Sequence, residues 1–303
     1  MSNPTMNTVD QVLDALNHQD IATIPLVLYE ILLMSRNPKA DANDLATVCK
    51  KDISGSARLL RAANSIYYGR RLDQPKVNTL KEAIVRLGFK RAQEIVLSAT
   101  LSPLMMAQGS VMDYSSTALW KHSIAVGIGN RLLYARAFGV DMSLDPYLVG
   151  LLHDIGIAIE HQALFSKGFS EAVQKRYENE TELLTEEKLI MGVTHEDIGV
   201  AVAQRWSFPD YLIEVIGHHH SLDPNRHQNH HLIHINRVSE WISYFLSLGY
   251  CDFARPYAEL LSESRQVLGL TQEDVREVSL HLKAEMQGFV GMNWFSSTQQ
   301  QVA

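Results

Sequence analysis

Residues 148–156, LVGLLHDIG, place an imidazole and a carboxylate side by side in an otherwise apolar run. Leu148, Leu151, Leu152 and Ile155 recur at helical spacing and belong to a core. An ionised group buried without a partner is expensive. His153 and Asp154 therefore need complementary groups from other parts of the chain. Whatever the fold, it must bring polar side chains from distant elements to the middle of this one.

The rest of the chain offers helices for that purpose and no alternating strand pattern. Pro25 suits the first turn of a helix over 25–35, with Leu28, Ile31, Leu32 and Met34 as its apolar residues. Helices are expected next at 44–49 and 53–65. Thr79 and Glu82 have the spacing of a capping box and open a helix over 80–87. Gly88 ends it, and another follows over 89–101. Residues 102–115 read as a linker. A second helical set is expected at about 116–137, 146–160, 183–191, 195–206, 209–220 and 231–247. Two more fall at about 256–268 and 272–290, the last capped by Thr271 with Asp274. The expected fold class is all-α.

Composition narrows the function. With 303 residues, 46% of them hydrophobic, the chain has material for one large domain or two ordinary ones. A net charge of -7 argues against a general nucleic-acid binder, which needs a basic surface. The helix pair around Gly88 resembles a helix-turn-helix with Lys81, Arg86, Lys90 and Arg91 available, but such pairs are more often packed helical hairpins. Cys49 and Cys251 form neither a disulfide framework nor a CxxC motif. With no signal peptide and no apolar run long enough to span a membrane, the expected location is cytoplasmic.

The partners of the His–Asp pair are sought among the histidines. His122 lies in LWKHSIAVG among small and apolar residues. His195 opens THEDIGVAVAQRW's helix behind Thr194. His218 and His219 close FPDYLIEVIGHHH, and His219 shares a face with Val215 and Ile216. His227, His230 and His231 read instead as a polar loop. Imidazoles and a carboxylate from several facing helices are how a bundle builds a metal site. This donor set suits one or two divalent ions of Fe, Mn, Zn or Ni, with Asp154 able to bridge.

These residues carry a family resemblance. WKHSIAVG and LVGLLHDIG resemble the HD superfamily of metal-dependent phosphohydrolases. IPLVLYEILLMSRNPKADANDLATVCKKDISGSARLLRAANSIYYG and VNTLKEAIVRLG resemble the first half of the HDOD domain, the HD-related output domain of bacterial signalling proteins. HEDIGVAVAQRWSFPDYLIEVIGHH is similar to that family's C-terminal part, so the likeness runs from about 18 to 222. It implies an N-terminal helical subdomain over 1–110 packed on an HD-type helical bundle over 111–250. A C-terminal helical extension over 251–303 lies outside it.

The related HD-GYP phosphodiesterases, which cleave cyclic di-GMP, imply a ligand set. His122 matches their first histidine, His153 and Asp154 the HD pair, and His195 the histidine of an HPE-like turn. His218 and His219 match their paired histidines. The superfamily's final aspartate falls on Asn236, with Glu240 one turn further on. Other departures concern catalysis. Ile157 replaces a lysine that would meet phosphate, His220 and Ala118 stand where relatives place glutamates, and no GYP follows. Such losses remove groups that would offset transition-state charge. The resemblance thus implies a non-catalytic signal-transduction module that binds signalling proteins and retains a metal site. The alternative it implies is a metal-dependent phosphohydrolase acting on a nucleotide or phosphodiester.

Overall fold

A computed structural model describes residues 24–35, 37, 39–65, 75–106, 110–112, 114–139, 145–162, 166–250, 258–291 and 294–295. Among these the chain is almost entirely helical and divides into two compact units. No helix among the described residues is long and apolar enough to cross a membrane.

One unit comprises Ile24–Pro103 and the end of the chain from Lys283. Its helices are α1 (Leu26–Ser35), α2 (Ala42–Cys49), α3 (Ile53–Ala63), α4 (Leu80–Leu87) and most of α5 (Phe89–Met105). Caps set their starts: Asp41 with Asp44 for α2, Asp52 for α3, and Thr79 with Glu82 for α4. Leu28, Ile31, Leu45, Leu59 and Ile84 form its core. The two arginines flanking Gly88 are tied to protein. Arg86 donates to the carbonyls of Ala63 and Pro75, and Arg91 pairs with Glu94 and Glu285 at 2.8 and 2.6 Å. Arg58 lies over the buried Trp294 ring, 4.5 Å from its centroid.

The other unit comprises Leu104–Asp141 and Asp145–Leu282. It begins with a two-residue antiparallel pairing of Ser110–Val111 with Tyr114–Ser115, inside the stretch expected to be a plain linker. Ser115 then caps the long helix α6 (Ser116–Phe138). The single helix expected over 146–160 is two, α7 (Asp145–Leu152) and α8 (Ile155–Gln162), and the break falls on His153 and Asp154. The break has a physical use. In an unbroken helix adjacent side chains diverge by about 100°, so a turn lets both residues face inward. It is sealed by His153, whose Nδ1–H donates to the Gly150 carbonyl at 2.8 Å.

Next comes α9 (Ser166–Asn179), a helix not anticipated from the sequence, which buries Phe169, Ala172, Val173 and Arg176. Then follow α10 (Leu183–Met191), α11 (His195–Arg205), α12 (Asp210–His218), α13 (His230–Phe245), α14 (Ala258–Val267) and α15 (Gln272–Gly291). Thr194 caps α11 with Asp197, and Thr271 with Asp274 caps α15 as expected. Helix α6 packs against both α7 and α13, and α11 against α8 and α12. At the α8–α11 contact, a Cβ on Gly156 would stand 1.9 Å from the His195 carbonyl oxygen. Glycine at 156 therefore sets how closely the HDIG turn approaches the start of α11.

Candidate metal centre

The break between α7 and α8 is where the imidazoles converge. His122 comes from the second turn of α6, His195 from the first turn of α11, and His219 and His220 from the turn after α12. His122, His153, Asp154, His195 and His219 are all at most 2% exposed. Two groups have ligand atoms within 4.8 Å of one another: His122, His153 and Asp154, and separately His195, His219 and His220.

Each of the four innermost histidines is anchored through Nδ1. His153 donates to the Gly150 carbonyl, His219 to the Ile216 carbonyl at 3.0 Å, and His195 to Glu187 Oε2 at 2.8 Å. His122 Nδ1 lies 3.2 Å from Ser243 Oγ, whose own hydroxyl donates to the Leu248 carbonyl, so here too Nδ1 is the donor. The tautomers follow from these acceptors. These contacts turn every Nε2 inward, the orientation in which outer-shell partners hold metal-ligating histidines.

Asp154 stands between the two groups. Its Oδ2 is 3.1 Å from His153 Nε2 and 3.6 Å from His122 Nε2, while Oδ1 is 3.3 Å from His219 Nε2. Buried Asp154 Oδ1 and His219 Nε2 face each other without a well-formed hydrogen bond. Two Nε2 atoms, on His122 and His153, lie 3.3 Å apart. Such a contact needs either a shared proton or a cation between the two nitrogens.

The electrostatics agree. Burial opposes charge on His153, but Asp154 and Glu240 override it and push its pKa up to about 9. Burial likewise works against ionised Asp154, yet His153 and His219 hold its carboxyl well below the usual range. Burial, with His220 beside it, lowers the pKa of His219 and keeps that imidazole neutral. The centre thus concentrates negative charge and lone pairs and draws in positive charge. Behind it, burial and the neighbouring Glu187, which accepts from His195 Nδ1, raise Glu160 well above the carboxylate range.

Two expected ligands lie elsewhere. His218 is exposed and stacks on His227 with ring centroids 4.2 Å apart, and His220 is the second histidine of the turn that joins the centre. Helix α12 ends at His218, and the turn after it points the next two imidazoles inward. Asn236 is fully buried, but its oxygen accepts from Asn130 at 3.0 Å and its amide donates to Glu240 Oε1 at 2.7 Å. Glu240 reaches the centre instead, with Oε1 3.3 Å from His153 Nε2. Two further contributors were not read from the sequence: Glu187, and Glu196, which accepts from the His220 backbone N–H at 3.0 Å.

An all-α bundle that turns imidazoles from several helices onto one buried aspartate has a donor set that could hold a metal ion. The chain belongs to the HDOD domain family, whose model matches residues 21–222. It is 29% identical over 209 residues to an uncharacterized protein of Treponema pallidum, covering 67% of this chain. The chain spans only 38% of the length of that relative. Among solved structures it is similar to an HDOD domain protein of unknown function from Geobacter sulfurreducens, with a TM-score of 0.74 and 20% identity over 95% of this chain and 99% of that one. It is also similar to a candidate signal transduction protein from Marinobacter aquaeolei, with a TM-score of 0.73 and 20% identity over 94% of this chain and 65% of that one. A candidate phosphohydrolase from Shewanella amazonensis gives a TM-score of 0.68 and 20% identity over 95% of this chain and 98% of that one. At these identities the likeness is one of fold.

Proposed function

We propose that this chain is a signal-transduction module of HDOD type whose core is held by a buried pair of divalent transition-metal ions, and that it acts by binding signalling proteins without catalysis. The observation that carries the metal is the set of four histidines fixed at Nδ1, three of which, His122, His153 and His219, turn Nε2 to Asp154. His122, His153 and Asp154 would hold one ion, and His195, His219 and His220 the other, with Asp154 shared. Neutral imidazoles with a carboxylate suit Fe, Mn, Zn or Ni.

Burial supports the non-catalytic half of the reading. A hydrolytic metal keeps a coordination position open to substrate and water. Here the residues of the first group, with Glu240, are at most 4% exposed. The side chains that relatives aim at phosphate are also replaced, with Ile157 fully buried in the lysine's place. A second reading, hydrolysis of a nucleotide or phosphodiester, draws on one observation: Asp154 turns one oxygen to each group, as a bridging ligand does.

Elemental analysis of untagged protein, for wild type and Asp154→Ala, tests the proposal. About two ions per chain are expected, as in two-metal centres, and the variant should lose them. The loaded protein should not accelerate hydrolysis of cyclic dinucleotides or nitrophenyl phosphodiesters. Hydrolysis that disappears in Asp154→Ala would establish the second reading, and wild-type protein without metal would end both.

A further inference from the structure

The position where HD relatives carry their last acidic ligand holds an amide in this chain, and the buried polar contacts show what replaces it. Asn236 and Glu240 lie one turn apart on α13, on the same face. The Asn236 oxygen is taken by the Asn130 amide, and its own N–H donates to Glu240 Oε1 at 2.7 Å. An N–H group cannot ligate a cation. The same Glu240 oxygen lies 3.3 Å from His153 Nε2, so the carboxylate reaches the centre from one turn further along, on a longer side chain.

We infer that Glu240, not Asn236, is the fourth protein ligand of the ion held by His122, His153 and Asp154, and that Asn236 positions it. This rests on the metal reading above. The chain from Asn130 through Asn236 to Glu240 fixes the carboxylate as outer-shell hydrogen bonds fix other ligands. The pocket gains a second negative charge, so two carboxylates balance a divalent ion beside two neutral imidazoles. In the companion pocket, with three imidazoles and the shared Asp154, Glu187 and Glu196 stand on the Nδ1 side of His195 and His219, so among the described residues no second carboxylate joins the Nε2 atoms. The two pockets therefore differ in charge, and the first should favour the harder divalent ion, manganese over zinc, relative to the second.

The test is equilibrium binding of Mn2+ alone to metal-stripped, untagged full chain, read by isothermal titration and by the manganese EPR signal. Wild type is compared with Glu240→Gln, Glu240→Asp and Asn236→Ala, with circular dichroism confirming the fold. Glu240→Gln should lose one of the two ions, or bind it more than about a hundredfold more weakly, whereas Asn236→Ala should weaken it only about tenfold, the range for an orienting residue. Should the glutamine variant not fold, Glu240→Asp, which keeps the charge and shortens the reach, should show the same loss in smaller measure. Unchanged manganese binding in the folded Glu240 variants, or a greater loss in Asn236→Ala, would overturn the assignment and leave the metal reading intact. Wild type that binds no ion overturns both.

Discussion

His218 and His219 are neighbours at the end of one helix and meet opposite fates. His219 is 1% exposed and aims at Asp154, while His218 is exposed and stacks on His227. The same contrast holds between the inner set and the histidine-rich stretch after it. Each inner histidine has an Nδ1 acceptor from the protein and a carboxylate in reach of the centre. His234 belongs to the outer stretch and is as buried as any of them, but its ring nitrogens meet the neutral Ser264 and Asn225. Burial, with Arg237 and His230 nearby, pushes His234 down to about 4, whereas Asp154 and Glu240 push equally buried His153 up to about 9. Neither histidine density nor burial makes a cation site. On the proposed reading, carboxylates buried beside the imidazoles do.

The largest expected effect comes from prising the inner set apart. Gly156→Ala sets a methyl group 1.9 Å from the His195 carbonyl, against backbone that cannot swing aside. A loss of about 3 kcal/mol or more is expected in urea unfolding, at the upper end for overpacking, and metal binding should fall with it because His195 moves. A variant as stable as wild type would show that the close approach of α8 to α11 does not set the site.

Next in size is the pH response of His234, the buried histidine without a carboxylate. Its pKa in the folded chain, about 4, lies below the unfolded value of 6.5, so the unfolded chain binds the proton more readily between them. Its contribution to stability is complete above pH 6.5 and is lost as pH falls towards 4, a difference of about 3 kcal/mol at 1.36 kcal/mol per pKa step. Urea unfolding of wild type and His234→Gln across that range should therefore converge in acid. A pH-independent difference would mean that His234 binds its proton equally well folded and unfolded, removing the contrast with His153.

The smallest effect sharpens the comparison from outside. His218→Ala touches an exposed ring stacked on His227, so stability should change by less than about 0.5 kcal/mol. Metal content should not change at all. Loss of an ion in His218→Ala, with His220→Ala unaffected, would reverse the assignment of the two.

Much of the architecture was legible beforehand, and for local reasons. Capping pairs such as Thr79 with Glu82 and Thr271 with Asp274 bond within a single turn, so spacing alone reveals them. Helix α9 also left a signal, since Phe169, Ala172, Val173 and Arg176 follow the three-four spacing of a buried face, but a charged stretch obscured it. The two-residue pairing at Tyr114 is too short for any alternation to show. The break at His153 and Asp154 was hidden for another reason: apolar residues on both sides continue in helical phase, and only the side-chain bond to Gly150 marks the end of α7.

By itself the sequence determined that this chain is helical and that His153 and Asp154 need polar partners from distant elements, from periodicity and the cost of burying charge. The HDOD pattern was carried by the resemblance of its motifs. Only the tertiary structure decided which of three consecutive histidines stay inside, that Asn236 turns its oxygen to Asn130, and that Glu240 reaches the centre. Such choices depend on rotation about a helix end and on contacts between residues more than a hundred positions apart, such as Asn130 and Asn236 or His122 and Ser243, which no local pattern encodes.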